Sequence, residues 1–208
     1  MKAEVKISEL PTYVYIDSSN INFACKRGLG IDLDYKKLYK YLKRKYPQLK
    51  KVSYFEGREI EDAEKAKIFR AYEKVGYTMK ILERKKYILQ PVFRYKKCPS
   101  CNQRVKICTA PKSIKLKSNI DVFLCSEMMF DALKEKRPTH FMLLSCDGDY
   151  AEMIKKIIEN CPKAHITVLA TPFTKPENFL SIRLQQLKGE LPRFELANIA
   201  NIKDLICK

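Results

Sequence analysis

The sequence predicts an α/β chain, with helices packed on both faces of a mainly parallel sheet to give three layers. Two observations carry that expectation. The first 82 residues alternate short β-rich runs with stretches of helical spacing, in the order strand, helix, strand, helix, strand. Such alternation demands crossover connections and therefore parallel strands. Later, residues 141–150 read FMLLSCDGDY and run straight into AEMIKKIIEN. That is an apolar strand, a turn on Gly148 and a helix, the repeating unit of an α/β sheet. Ligands of such sheets bind beyond the carboxyl ends of the strands. A length of 208 residues, 46% of them apolar, suits a single unit over 1–208 with a small insertion over 84–116.

Taken in order, residues 13–16 (YVYI) are the first strand and end at Asp17. An acid directly after a buried strand stands at the sheet's carboxyl edge, where Asn20 can orient it or hold an Asx turn. Residues 18–31, SSNINFACKRGLGI, read as a polar loop. A basic helix covers 33–46, with Leu33, Leu38, Tyr41 and Leu42 as its apolar stripe; its lysines suit either solvent or phosphate. Residues 51–55 form the second strand, 56–61 a charged loop, 63–75 a helix closed by Gly76, and 77–82 the third strand. After the insertion, Ser118 or Asn119 starts a helix that runs to about Lys134. It carries Asp121 in its first turn and Glu127 about one and two-thirds turns later, so the two acids need not share a face. Residues 141–145 are the fourth strand, 166–170 the fifth, 178–187 a helix and 194–196 a short last strand. Ser145 or Asp147 can cap the helix that follows the fourth strand. The closing ANIANIKDLICK reads as a small apolar segment docked on the rest.

Charge narrows the choice of partner. With 41 Lys and Arg against 24 Asp and Glu, the net charge of +17 favours a polyanion; a generally lysine-rich background is the competing explanation. No apolar run approaches 18 residues and the N-terminus does not read as a signal peptide, which points to the cytoplasm and away from a membrane. The basic excess is concentrated: residues 84–117 hold 11 Lys and Arg and no acid. There Arg94, Lys97, Arg104, Lys106, Lys112, Lys115 and Lys117 lie among tyrosines and a phenylalanine, a composition suited to tracking a nucleic-acid backbone. The same stretch contains Cys98-Pro-Ser-Cys101, the spacing of a zinc knuckle, with Cys108 as a third thiolate and Cys25 or His165 as candidates for the fourth ligand of a structural Zn2+. A redox pair is the alternative, opposed by the lack of a helix after Cys101. Residues 87–92 and 105–108 read as small strands, a hairpin around the metal. Cys25, Cys125, Cys146 and Cys161 otherwise read as small core residues.

Three separated segments thus place acids at one edge of the sheet: Asp17, Asp121, and Asp147 with Asp149. Two carboxylates one residue apart repel each other unless a cation intervenes; the alternative is a helix N-terminus, whose dipole favours acids anyway. An acidic hole in a basic surface suits Mg2+ or Mn2+, which can activate water against a phosphodiester.

YIDSSNI at 15–21, KSNIDVFLCSEMM at 117–129 and LLSCDGDY at 143–150 together resemble the NYN branch of the PIN-like nucleases, and ELANIANIKDL resembles that family's closing segment. The resemblance covers most of the chain outside roughly 84–112 and departs at Cys146, where the family usually carries glycine. It implies a PIN-like, Rossmann-like fold and a metal site for Mg2+ or Mn2+ formed by Asp17, Asp121, Asp147 and Asp149. It further implies Asn20 as the loop asparagine, orienting Asp17 or a phosphate. Lys117 falls on the family's lysine, a phosphate contact. Glu127 falls on the second acid of the middle helix, holding a water or a second ion. The implied activity is metal-dependent hydrolysis of nucleic acid, RNA rather than DNA, as an endoribonuclease. Two rivals stand beside it. One is a non-catalytic RNA-binding module of the same fold. The other is phosphatase-like chemistry, opposed by the SSN after Asp17, which lacks a second acid two residues on. A homodimer, the substrate's sequence and the number of catalytic ions are left open.

Overall fold

A computed structural model describes residues 6–59, 63–172 and 179–208. In chain order it runs β1 (Thr12–Asp17), α1 (Ser18–Leu29), α2 (Tyr35–Lys45), β2 (Leu49–Arg58), α3 (Ala63–Val75) and β3 (Thr78–Glu83). Four short strands follow: β4 (Lys85–Leu89), β5 (Val92–Lys97), β6 (Arg104–Ala110) and β7 (Ser113–Lys117). The chain closes with α4 (Ile120–Lys134), β8 (Thr139–Leu144), α5 (Ala151–Asn160), β9 (Ala164–Ala170), α6 (Ile182–Glu190), β10 (Phe194–Asn198) and α7 (Lys203–Ile206). Six strands, all parallel, make the central sheet in the order β10-β9-β8-β1-β2-β3. The three-layer α/β architecture expected from the alternation is the one that forms. From the β1–β8 boundary the sheet grows outward in both directions, so the crevice beyond the carboxyl ends of β1 and β8 is the switch point at which such sheets take ligands.

β8 is buried along its whole length, as a parallel strand covered on both faces must be. On the α4 side, the Tyr13 and Tyr15 hydroxyls of β1 donate to Glu135 (2.5 Å) and Asp131 (2.7 Å). Tyr35 of α2 packs edge-on against Tyr54 of β2, with ring centroids 4.9 Å apart, and Tyr72 of α3 lies 5.4 Å away. The C-terminus docks as expected: the Asp34 N–H donates to the Ile206 carbonyl (2.7 Å), and Leu33 bridges to Cys207.

The strand expected over 87–92 is split between β4 and β5, the last long helix starts at Ile182, and two further differences bear on the site. Residues 18–29 are a helix and not a loop. Ile21, Ala24 and Cys25 recur at helical spacing and are buried, while the polar residues between them made the stretch read as solvent-facing throughout. Asp17 caps this helix by accepting the Asn20 N–H at 3.2 Å, and Gly30 ends it in the left-handed conformation. β2 also continues past Phe55 to Arg58, so Glu56 belongs to the sheet and not to a charged loop. The rest of that loop, at 60–62, and residues 173–178, including the expected start of the last long helix, lie outside the described residues.

The basic insertion leaves the sheet as an arm. β4 pairs with β7 and β5 with β6, both antiparallel. Continuing the register from Leu89↔Ser113 and Val92↔Ala110 sets Pro91 opposite Pro111. Neither proline has an N–H to give the ladder, so one ribbon is divided into two. Every strand residue of the arm except Leu116 is exposed. At the root, Gly57 lets Ser118 pass close by: a Cβ there would lie 2.3 Å from the Ser118 Oγ. Among the described residues, no helix is long and apolar enough to cross a membrane.

Candidate active site

Asp17 is the last residue of β1 and only 3% exposed. Its carboxylate is held from three directions. Oδ1 accepts the Asn20 N–H, and Oδ2 accepts the hydroxyls of Ser145 (3.2 Å) and Tyr150 (3.1 Å). Burial is the largest influence on its ionisation and pushes its pKa up to about 6. The Asn20 N–H and the two hydroxyls favour the ion, the negative charge of Asp121 opposes it, and burial prevails.

Tyr150 joins two of the acids. Its hydroxyl lies 3.1 Å from Asp17 Oδ2 and 3.3 Å from Asp121 Oδ1, and one proton can serve only one of them at a time. Burial, then the charges of Asp17 and Asp121, push the phenol well above its ordinary range, so it acts as a neutral donor. Asp121, in the first turn of α4, is raised by its own burial and by the charges of Asp147 and Asp149. Cys125, four residues along the same helix, responds to the same group: burial and then Asp121, Asp147 and Asp149 push its thiol up to about 11. The four acids of the three segments are therefore linked electrostatically through Asp121, which acts on Asp17 and feels Asp147 and Asp149.

The loop after β8 is built by its own side chains. Ser145 Oγ accepts the Asp147 N–H (3.1 Å) while its hydroxyl donates to Asp17. Asp147 Oδ1 accepts the Asp149 N–H (3.0 Å), capping the short 3-10 turn Gly148–Tyr150 that leads into α5. Neither residue caps α5 itself, whose N-cap is Tyr150 with no side-chain bond: Asp147 caps the 3-10 turn before it, and Ser145 ties the loop to Asp17. The Asn20 side chain accepts the Cys146 N–H (2.8 Å) and so fastens the start of α1 to this loop. Gly148 allows the chain before α6 to close in, since a Cβ at that position would lie 2.1 Å from Ser181 Oγ. Asn20, Asp147, Asp149, Phe179, Ser181 and Arg183 line the resulting open cleft of about 540 Å3.

Other predicted residues are placed elsewhere. Glu127 faces the lower half of the sheet. It pairs with Lys51 (3.0 Å) and Lys80 (2.9 Å) and accepts the Ser53 hydroxyl (3.1 Å). Lys51 and Ser53 lie opposite Tyr13 and Tyr15 of β1, two to four residues below Asp17, or roughly 7–13 Å along the strand. Burial works against the Glu127 charge, but the two lysines outweigh it and hold the carboxyl below its usual range. Lys51 also pairs with Asp131, which makes this a structural ion cluster. Cys108 does not join the knuckle: it sits four residues up β6 from Arg104, opposite Phe93, roughly 14 Å from the turn. Cys25 is buried in α1, and His165 pairs with His140 at the start of the strands. Neither is near the arm's tip. There the N–H groups of Cys101 and Ser100 and the Cys101 thiol hold the Cys98 thiol below its ordinary range. Among the described residues, no three His, Cys, Asp or Glu side chains are grouped closely enough to hold a metal ion. Arg94, Lys97, Arg104, Lys106, Lys112, Lys115 and Lys117 are all exposed on the arm.

Tyr150 was not singled out from the sequence, although its place directly after DGD was a usable signal. Glu56 was missed because the sequence reading ends β2 at Phe55, three residues before Arg58. It is 8% exposed, accepts the Ser18 hydroxyl, and lies 3.6 Å from Arg84 at the root of the arm.

The NYN domain profile matches residues 11–182. The chain belongs to the NYN domain family. Membership places it with the PIN-like nucleases and supports a nuclease or hydrolase role in general. The matched NYN span includes Asp17, Asp121, Asp147 and Asp149. A crystal structure of a protein of unknown function from Vibrio parahaemolyticus is similar over 99% of this chain and 100% of that one, with a TM-score of 0.59 and 14% identity; at that identity the likeness speaks for the fold alone. No curated protein matches the chain.

Proposed function

We propose that this NYN domain is a divalent-metal-dependent nuclease that hydrolyses RNA phosphodiester bonds, as an endoribonuclease. The observation that carries the reading is the Tyr150 hydroxyl set between Asp17 and Asp121. It stands at the sheet's switch point, with Asp147 and Asp149 near enough to raise Asp121. Negative charge is concentrated there against burial, in a chain of net charge +17.

The donor set fits a hard cation. It consists of carboxylate oxygens, and Mg2+ takes one or two of these together with waters. Two of Asp121, Asp147 and Asp149, with Asp17 behind them, would hold it together with waters. When bound, such an ion supplies Lewis-acid activation of water and neutralises charge on the phosphate. The chain's own residues do the rest. Tyr150 and Ser145 keep Asp17 oriented by donating to it. Asn20 locks the loop that carries Asp147, and Lys117 meets the phosphate chain at the root of the arm. Cys98 and Cys101 fit half of a tetrahedral zinc set; the described residues do not complete it.

The test is cleavage of labelled single-stranded RNA, structured RNA and DNA with Mg2+, Mn2+ or EDTA. Asp147→Asn is expected to lower the rate at least about 100-fold and to leave RNA affinity within twofold. Wild-type cleavage by that variant would remove the assignment. One observation favours a second reading, a non-catalytic RNA-binding module: among the described residues no three acids gather around a common point. That reading predicts the same affinity with no metal-dependent turnover.

A further inference from the structure

The arm has two chemically different faces. In β5 and β6, Phe93, Tyr95 and Lys97 pair with Cys108, Lys106 and Arg104, which places all six on one side. Arg94, Lys96, Val105 and Ile107 take the other. The Lys106 Nζ lies 4.5 Å from the Phe93 ring centre, across that first side. β4 and β7 repeat the division. Lys85 and Tyr87 share a face with Lys115 and Lys117, while Lys86, Ile88, Ile114 and Leu116 lie opposite. Aromatic rings are therefore confined to one face of each ribbon and are interleaved there with six cations; aliphatic side chains dominate the other. Tyr95 is 67% exposed, and Phe93 and Tyr87 are each 47% exposed.

We infer that the aromatic–basic face of the arm is a stacking platform for an unpaired nucleic-acid strand. Charge complementarity selects the occupant, because 11 Lys and Arg without one acid suit a polyanion. The rings select its form. Bases inside a duplex are stacked on each other, whereas unpaired bases have free faces that settle on exposed aromatics. A duplex would engage only the cations and leave three rings in water. Tyr87 faces Lys115 and Tyr95 faces Lys106 across the ribbons, with Lys106 also over the Phe93 ring, so that bases can stack while phosphates are met beside them. The platform leads to the acids: β7 ends at Lys117, four residues before Asp121. Delivery of that strand for cutting rests on the nuclease reading, and binding does not.

The experiment is fluorescence anisotropy with the full-length Asp147→Asn protein in EDTA. The probes are a labelled oligouridylate of about 20 nucleotides and a blunt RNA duplex of equal length, at one salt concentration. Single-stranded RNA is expected to bind at least about tenfold tighter than duplex. Phe93→Ala and Tyr95→Ala each weaken single-strand binding about fivefold or more. Tyr95→Phe, which keeps the ring, and Val105→Ala and Ile107→Ala on the opposite face retain it. Equal or tighter duplex binding overturns the inference, as does an aromatic truncation no more costly than Ile107→Ala. Cleavage by the wild type is scored separately. Absent cleavage with ring-dependent binding removes the nuclease reading and keeps the platform; cleavage with ring-independent binding does the reverse.

Discussion

At the scale of residues, Asp17 is both the most constrained and the most costly group of the site. Its raised pKa sets the sign of a pH effect. Between about pH 4 and 6 the folded protein keeps a proton that the unfolded chain has released. Stability from this group is therefore full below pH 4 and is lost as pH rises through 6. Above that, the buried charge costs up to ~3 kcal/mol relative to the acid form. Asp17→Asn is expected to raise urea stability at pH 7.5 in EDTA, by about 2 kcal/mol, and to flatten the slope between pH 4 and 6. A variant less stable than wild type at pH 7.5 would contradict the burial argument. Glu127 has the opposite character. Its charge is matched by Lys51 and Lys80, which are 22% and 28% exposed. Removing it in Glu127→Gln is expected to cost about 1–2 kcal/mol, after discounting for solvent, with cleavage unchanged. A fall in turnover with stability intact would return Glu127 to the catalytic role its place in the motif implied.

At the scale of elements, the sheet and the arm are stabilised differently. The sheet's strands are buried between helices, whereas the arm's residues are exposed on both faces and a two-stranded ribbon is marginal in water. Replacing 85–117 by a short Gly/Ser linker is therefore expected to leave the thermal midpoint within ~3 °C, about 1 kcal/mol for a chain this size, and to abolish measurable RNA binding. A large loss of stability would mean that the arm supports the sheet. The helix after β1 teaches a related lesson. Its buried stripe of Ile21, Ala24 and Cys25 is narrow and flanked by Ser, Asn, Lys and Arg, so average polarity concealed it. The cap that starts it, Asp17, is the same residue that faces the site.

At the scale of the whole molecule, a charge of +17 acts mainly on association. Six cations share the aromatic face of the arm. If all six meet phosphates, log K against log salt for single-stranded RNA is expected to fall with a slope of about −4. Charge-reversing Lys115 and Lys117 together should reduce that slope by about one to two. A slope near zero, read from anisotropy titrations across a salt series, would detach the arm from the polyanion. On the proposed function the two halves of the surface would have separate duties, the arm collecting a strand and the acids at the sheet edge acting on it.

Apart from α1 and the four strands of the arm, the order of strands and helices was legible in the chain, as were the acids at strand ends and the acid-free basic run, because they depend on local periodicity and on charge counted along the sequence. Asp17, Asp121, Asp147 and Asp149 could be named for that reason, and so could their shared edge. Tertiary structure alone decided which side chains meet. It set Tyr150 between Asp17 and Asp121, turned Glu127 toward Lys51 and Lys80, and carried Cys108 away from Cys98 and Cys101. Those outcomes follow from helix phase and strand register. Each is a geometric relation between segments far apart in the chain, so spacing within any one segment does not encode it.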